Sequence, residues 1–380
     1  MRILSPSAGV VLVLVFAGAF AGHGSWWHRP YDWSLYLGQK EYKGGFLQDQ
    51  LAASNSAVAI NHEGAVLFFG AKHGHSRHAC HPTPGRTFGL ISSNGVGNFL
   101  AVSSPLTPSG RRSGSDLIEI SDTCRILKRV RLSGFQPSPE DQGTGGTALS
   151  PSRRTLVFYW NGKTSVAYRV FDAETLRLRG QWFEPRTGDM EISGVSDQRL
   201  LGTVPMQAHP NQPPQARQPL WYRPFGGRWK QLPFTFPFYG QASFLSNDAV
   251  ICAGMLDPLG GLGEKATPSV IRIYALDGTI RFTAVANGFW FAVSPNMPIS
   301  TAADGRHFGI HFDFSGNGPL WGPLDMGPEH FTSYIWSTAR PKWKKRFGAS
   351  LFGGWPAFPP DGKWVVSLDK RELTVRPLAH

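Results

Sequence analysis

Apolar and polar positions alternate along this chain in short runs broken by Gly, Asp, Asn and Pro, and no stretch holds the 3.6-residue period of an amphipathic helix. Two units recur. The first is a strand, a turn centred on Asp or Gly, and a second strand: SDLIEISDTCRILKRVRL (115–132), SVAYRVFDAETLRLRGQW (165–182), LWYRPFGGRWKQLPF (220–234) and VIRIYALDGTIRFTAV (270–285), with a looser copy SYIWSTARPKWKKRF at 333–347. The turns at Asp122, Asp172, Gly226 and Asp277 are spaced by 50, 54 and 51 residues. Ahead of each lies the second unit, a short strand, a turn and an apolar strand: TFGLISSNGVGNFLAVSS (87–104), TALSPSRRTLVFYW (147–160), ASFLSNDAVICAGM (242–255), FAVSPNMPISTAADGRHFGIHFDF (291–314) and PAFPPDGKWVVSL (356–368).

Two strands plus two strands per period predict four-stranded blades, whose faces are buried only when neighbours stack around a ring. Anchors near 60, 97, 157, 200, 250, 310 and 366 predict an all-β propeller of seven blades, with six or eight left open by the weakly marked first and fourth units. The last repeat, ending RELTVRPLAH, supplies three strands, and DWSLYLGQKEYKG (32–44) is the natural fourth, closing the ring from the N-terminal side. Segments such as LSPSRRTLVFYWNGKTSVAYRVFDAETLRLRG and FPPDGKWVVSLDKRELTVRPL resemble blades of the WD-repeat-like, TolB-like β-propeller superfamily, in the loose form of exported bacterial repeat proteins. Neither the Gly-His nor the Trp-Asp signature recurs, so the resemblance carries no partner with it. The Ser-x-Asp-x-Gly-x-Thr-Trp boxes of sialidase-like propellers are missing too, which argues against glycosidase activity.

The opening MRILSPSAGVVLVLVFAGAFAG has one charge at Arg2, an apolar run from Gly9 to Phe20 and small residues at Ala19 and Ala21. That layout predicts a secretory signal peptide over 1–21, too short to span a bilayer, then an N-terminal segment with the closing strand (22–45) and the propeller (46–380). A retained anchor is the other reading of the leader. The expected product is a secreted or periplasmic monomer. Composition agrees: 41% hydrophobic, 17% charged, 44 Gly and 30 Pro suit many strands joined by tight turns. The net charge of +12 favours acidic partners, but the basic residues are scattered, and the clearest run, KWKKRF (342–347), is too sparse for a nucleic-acid reader. Of three cysteines, Cys252 sits in an apolar run, leaving Cys80 and Cys124 as the candidate disulfide.

Insertions recur where the second strand of a unit should pass to the third: 104–115, 206–219, 256–269 and 315–333. They would gather on one side of the disc, and loops on a rigid scaffold concentrate binding residues. Arg111, Arg112, His209, Arg217, Lys265, Trp321 and His330 are therefore the candidate contacts for a protein, a peptide or an anionic glycan at the cell surface. The rival reading is a metal-dependent hydrolase or lyase. AKHGHSRHACHPTPG (71–85) holds His73, His75, His78 and His81; His-x-His at His73 and His75 projects two imidazoles to one side of an extended segment, and His78, His81 or Cys80 would complete a zinc-like set. Against it, no Asp or Glu occurs between Glu63 and Asp116 to orient such ligands, and no cofactor is expected on the binding reading. The stretch fits either the outer hairpin of the first blade or an insertion after its second strand. In RHFGIHFDF (306–314), His307, His311 and Asp313 share a strand face, as an acid/base pair, a metal half-site or blade-to-blade polar contacts. No nucleophile elbow, phosphate loop or haem attachment motif is present, and no catalytic carboxylate pair stands out.

Overall fold

The structure is a computed structural model that describes residues 30–37, 51–62, 64–106, 114–132, 143–185, 190–203, 217–237, 241–255, 269–286, 299–313, 331–348, 356–369 and 372–378. Every regular element among them is a strand. No helix among them is long and apolar enough to cross a membrane. The leader at 1–21 lies outside the described residues.

After β1 (Trp33–Tyr36), each blade runs from an innermost to an outermost strand. Blade 1 is β2 (Leu51–Ala53), β3 (Ala57–His62), β4 (Ala65–Gly70) and β5 (Ser76–Cys80). Blade 2 is β6 (Arg86–Ser93), β7 (Phe99–Pro105), β8 (Asp116–Ile120) and β9 (Ile126–Arg131). Blade 3 is β10 (Gly143–Leu149), β11 (Thr155–Gly162), β12 (Ser165–Asp172) and β13 (Leu178–Pro185). Blade 4 is β14 (Glu191–Val195), β15 (Arg199–Thr203), β16 (Arg217–Pro224) and β17 (Lys230–Pro237). Blade 5 is β18 (Gln241–Ser246), β19 (Ala249–Met255), β20 (Ser269–Ala275) and β21 (Ile280–Ala286). Blade 6 is β22 (Ser300–Thr301), β23 (His307–Asp313), β24 (Phe331–Ser337) and β25 (Arg340–Gly348). The seventh blade joins both regions of the chain. β26 (Trp364–Asp369) and β27 (Glu372–Pro377) are flanked on the inside by a bridge between Ala357 and Val366 and on the outside by β1. Six of the sequence anchors thus fall on second strands, and the one near 97 lies two residues before β7, the second strand of blade 2.

Both faces of a blade are buried, which explains why the second strands read as near-continuous apolar runs. On β3, Ala57 and Ala59 join a cluster with Phe88, Phe99 and Ile118 of blade 2, while Val58 and Ile60 pack with Trp364, Val366 and Val375 of blade 7. Comparable clusters fill the remaining seams, from blades 2 and 3 round to blades 6 and 7. No single blade could bury these side chains, so the ring is the folding unit.

Among the described residues the closing strand is Trp33–Tyr36, antiparallel to β27 from Trp33↔Val375 to Tyr36↔Glu372; residues 38–44 of the stretch expected to close the ring lie outside the described residues. Its hold is reinforced at the sides. Arg376 pairs with Asp32 at 3.0 Å, the Trp33 indole N–H donates to the Ala71 carbonyl at 2.7 Å, and the Tyr31 ring stacks on Trp364.

Turns between first and second strands carry their own chemistry. The Ser54 hydroxyl accepts the Ala57 amide, Ser196 accepts that of Arg199, and Asp304 accepts those of Arg306 and His307. These short side chains satisfy turn amides that no ladder can reach. Successive turns also bond to each other. Asp197 accepts from Ser150 and Ser152 of blade 3 and from Asn247 of blade 5, and the Asp361 amide donates to Asn55 across the seam of blades 7 and 1. The result is a polar belt on one face of the disc.

Candidate functional site

In a ring of antiparallel blades the two ends of the strands define two faces. The turns joining strands one to two and three to four form the turn face. The connections from strand two to three, and from each blade to the next, leave from the opposite, crossover face. Residues 106–115, 204–216, 256–268 and 314–330 all connect second to third strands, whereas the turns joining third to fourth strands are two to five residues long. Elaboration is thus one-sided. Of the candidate contacts, Arg111, Arg112, His209, Lys265, Trp321 and His330 lie outside the described residues. Arg217 begins β16, its backbone opposite Pro237, at the crossover end of blade 4.

The histidine-rich stretch sits elsewhere. Of its two possible placements the structure takes the outer hairpin of blade 1, so His73 and His75 belong to the turn face. Gly74 between them has φ of +69°, and a Cβ there would lie 2.7 Å from the Trp33 ring. Only glycine allows both the left-handed backbone and that close approach. His73 and His75 are exposed, with ring centroids 6.3 Å apart. His78 lies on β5, its ring 5.4 Å from that of Phe68, and its Nε2 is buried without a hydrogen-bond partner. His81 is exposed beyond the strand, and Cys80 is joined to Cys124 in a disulfide with Cα atoms 5.3 Å apart. The stretch therefore has three different surroundings, and no three His, Cys, Asp or Glu side chains among the described residues are grouped to hold a metal ion. A pocket of about 560 Å³ adjoins the turn, with Asn55, Ser56, Gly70, Ala71, Lys72, His73 and His75 among its walls. Ser56 donates to Asp122 of the next blade at 2.8 Å, so a carboxylate does reach this region from another repeat.

His307 is 3% exposed and has a partner that the alternation of its strand does not reveal. Its Nδ1 lies 2.6 Å from Asp304, three residues earlier in the turn. Burial alone would raise the Asp304 carboxyl, but the bonds from the His307 ring and the Arg306 and His307 amides outweigh it and hold the group below the usual carboxylate range. The pair is built into a turn. The Asp-Gly-Arg-His order was the signal: an aspartate before a tight turn accepts amides two and three residues on. The side chains of His311 and Asp313 lie outside what the structure describes.

Other polar groups converge for structural reasons. Glu119, fully buried on β8, accepts from Asn94 at 2.9 Å and Asn98 at 2.7 Å and pairs with Lys128 at 2.7 Å, tying a turn to the outer strand of its own blade. Arg223 of blade 4 makes a two-pronged pair with Glu184 of blade 3 and lies over the Tyr168 and Trp229 rings.

No protein-family model matches the sequence and no curated protein resembles it; the similarities lie in structure. An uncharacterized protein of Listeria monocytogenes EGD-e superposes with a TM-score of 0.51 at 9% identity, over 88% of this chain and 96% of the other. An oligogalacturonate lyase in complex with manganese gives 0.50 at 12% identity, over 92% and 99%. The β-propeller domain of the Trilobed protease from Pyrococcus furiosus gives 0.47 at 11%, over 85% and 90%. The fold is that of a seven-bladed β-propeller. One of these similar structures is an enzyme, the lyase, and a fold alone does not choose a function.

Proposed function

We propose that this propeller is an exported, non-enzymatic binding module whose crossover face docks an acidic protein or peptide or an anionic glycan. The observation that supports it is the one-sided placement of the four long second-to-third-strand connections, set against tight turns on the other face. Arg111, Arg112, Arg217 and Lys265, with His209, Trp321 and His330, would supply cationic and aromatic contacts there. The enzyme reading, with a metal held by His73, His75, His78 and His81, is weaker on chemistry. Cys80 is committed to a disulfide, and the His78 ring faces Phe68 rather than its neighbours in the turn.

The test uses the chain from residue 22 onward, with 256–268 and 314–330 replaced singly and together by short Gly-Ser turns. Heparin and polyglutamate serve as probes, beside capture of cell-surface material. The expected result is at least about a tenfold loss of probe affinity, some 1.4 kcal/mol, with unchanged thermal unfolding, while K72A/H73A/H75A on the turn face binds as before. Affinity that survives the loop replacements, or that is lost in the turn-face variant, would overturn the proposal.

A further inference from the structure

Arg153 occupies the turn between β10 and β11 of blade 3, with φ of +61° and 6% of its surface exposed. Its side chain leaves its own blade. Nη1 donates to the Ser92 hydroxyl at 2.9 Å, the Ser93 carbonyl at 3.0 Å and the Ser93 hydroxyl at 3.1 Å, at the end of the innermost strand of blade 2. Nη2 donates to the Phe358 carbonyl, beside the innermost bridge of blade 7. The Ser93 hydroxyl gives its own proton to the Ala53 carbonyl of blade 1, so towards Arg153 it can only accept. One guanidinium thus gathers the inner strands of blades 2, 3 and 7, which are not all neighbours, and it does so where strands converge on the ring axis.

Every acceptor it has is neutral. Among the described residues no carboxylate pairs with it and Nε–H finds no acceptor. Nη2 carries two hydrogens and serves one carbonyl. A buried cation is strongly disfavoured unless paired, and arginine cannot escape by giving up its proton, since burial lowers its guanidinium only to about 10. Ion pairs answer this problem at other arginines of the chain: Arg223 has Glu184, Arg86 has Asp116 and Arg376 has Asp32. Arg153 has only dipoles.

We propose that Arg153 is an anion site: the Nη2 hydrogen not given to Phe358 holds one small monovalent anion, a halide or a small carboxylate, near the ring axis at the turn face, which balances the charge of a guanidinium whose Nε is sealed in without a partner. The anion supplies the missing charge and completes the knot between blades 2, 3 and 7. The site is independent of the crossover-face reading and has its own test.

Thermal unfolding of the chain from residue 22 is followed in sodium chloride, sodium formate and sodium gluconate at one fixed ionic strength. Chloride, formate or both should give a saturable rise of about 3–4 °C at a hundredfold excess over the dissociation constant, with bulky gluconate giving none. The chloride and formate arms separate halide from carboxylate. Arg153→Met should unfold at a temperature indifferent to the anion. Crystals of the unaltered protein soaked in bromide should show anomalous density within about 3.5 Å of Nη2, which decides the matter even if the Met variant fails to fold. Equal unfolding temperatures in all three salts, an anion effect that persists in Arg153→Met, or bromide density only elsewhere would each overturn the site.

Discussion

The disulfide between Cys80 and Cys124 links the outer strand of blade 1 to the outer hairpin of blade 2, and opening it is a quantitative test of how the ring is held. Its two cysteines are 44 residues apart, which by chain entropy removes about 4 kcal/mol of freedom from the unfolded chain. Unfolding entropy of about 2.1 cal/mol/K per residue gives about 0.7 kcal/mol/K for a ring of this size, so the loss should lower Tm by about 5–6 °C. The perturbation is made twice, as C80A/C124A and by mild reduction of the unaltered protein, because Cys80 is 1% exposed and its truncation adds a small packing loss of about 1 kcal/mol. Reduction should account for most of the shift. Thiol titration checks the premise. Cys252 is buried and burial pushes its thiol up, so the native protein should be unreactive, the denatured protein should show one thiol, and the reduced and denatured protein three. A drop in Tm under about 1 °C on reduction, with the titration as stated, would refute the entropic argument.

Two further outcomes follow from the belt of turns and the closing strand. Burial would raise the Asp197 carboxyl, but hydrogen bonds from Ser152, Asn247 and Ser150 outweigh it and hold the group low, so the folded state binds fewer protons than the unfolded one. Its stabilisation is whole above the unfolded value near about pH 4 and is lost as pH falls through the folded value, so the gap in Tm between the unaltered protein and D197N should narrow in acid; a gap constant from neutral pH to about pH 2.5 would refute this. A chain starting at residue 38, without β1, should unfold at least about 10 °C lower and self-associate in size-exclusion chromatography through the bared edge of β27, whereas one starting at residue 30 should not. A monomeric short chain of unchanged Tm would show that the latch does not matter.

The blades were legible because each is written locally. Third and fourth strands meet through turns of two to five residues, and the Asp and Gly at Asp122, Asp172, Gly226 and Asp277 mark those turns whatever the rest of the molecule does. The closing strand was legible for a different reason, an unpaired edge that had to be covered. What stayed hidden depends on how blades meet. Nothing near Arg153 in the sequence points to Phe358, because that contact crosses the ring between blades that are not neighbours, joins residues 205 positions apart and follows no period. The histidine stretch left two placements open because SAVAINHEGAVLFFG can be divided into strands in two ways, and only the pairing of Phe68 with His78 decides between them. His307 was grouped by strand alternation with residues on its own strand, while the carboxylate it bonds lay in the preceding turn.

The seventh blade also sets a clock. Asp32 and Arg376 are separated by 344 residues, so at ordinary synthesis speeds roughly 20–70 s pass between the appearance of the outer strand of that blade and that of the rest. Throughout that interval six blades can form only an open arc, with Val58 and Ile60 of the first blade waiting for Trp364 and Val366. Slow, non-local closure of this kind favours a helper that shields the first blade, or passage across a membrane before folding begins. Either way, β26 and β27 decide when the first blade becomes safe.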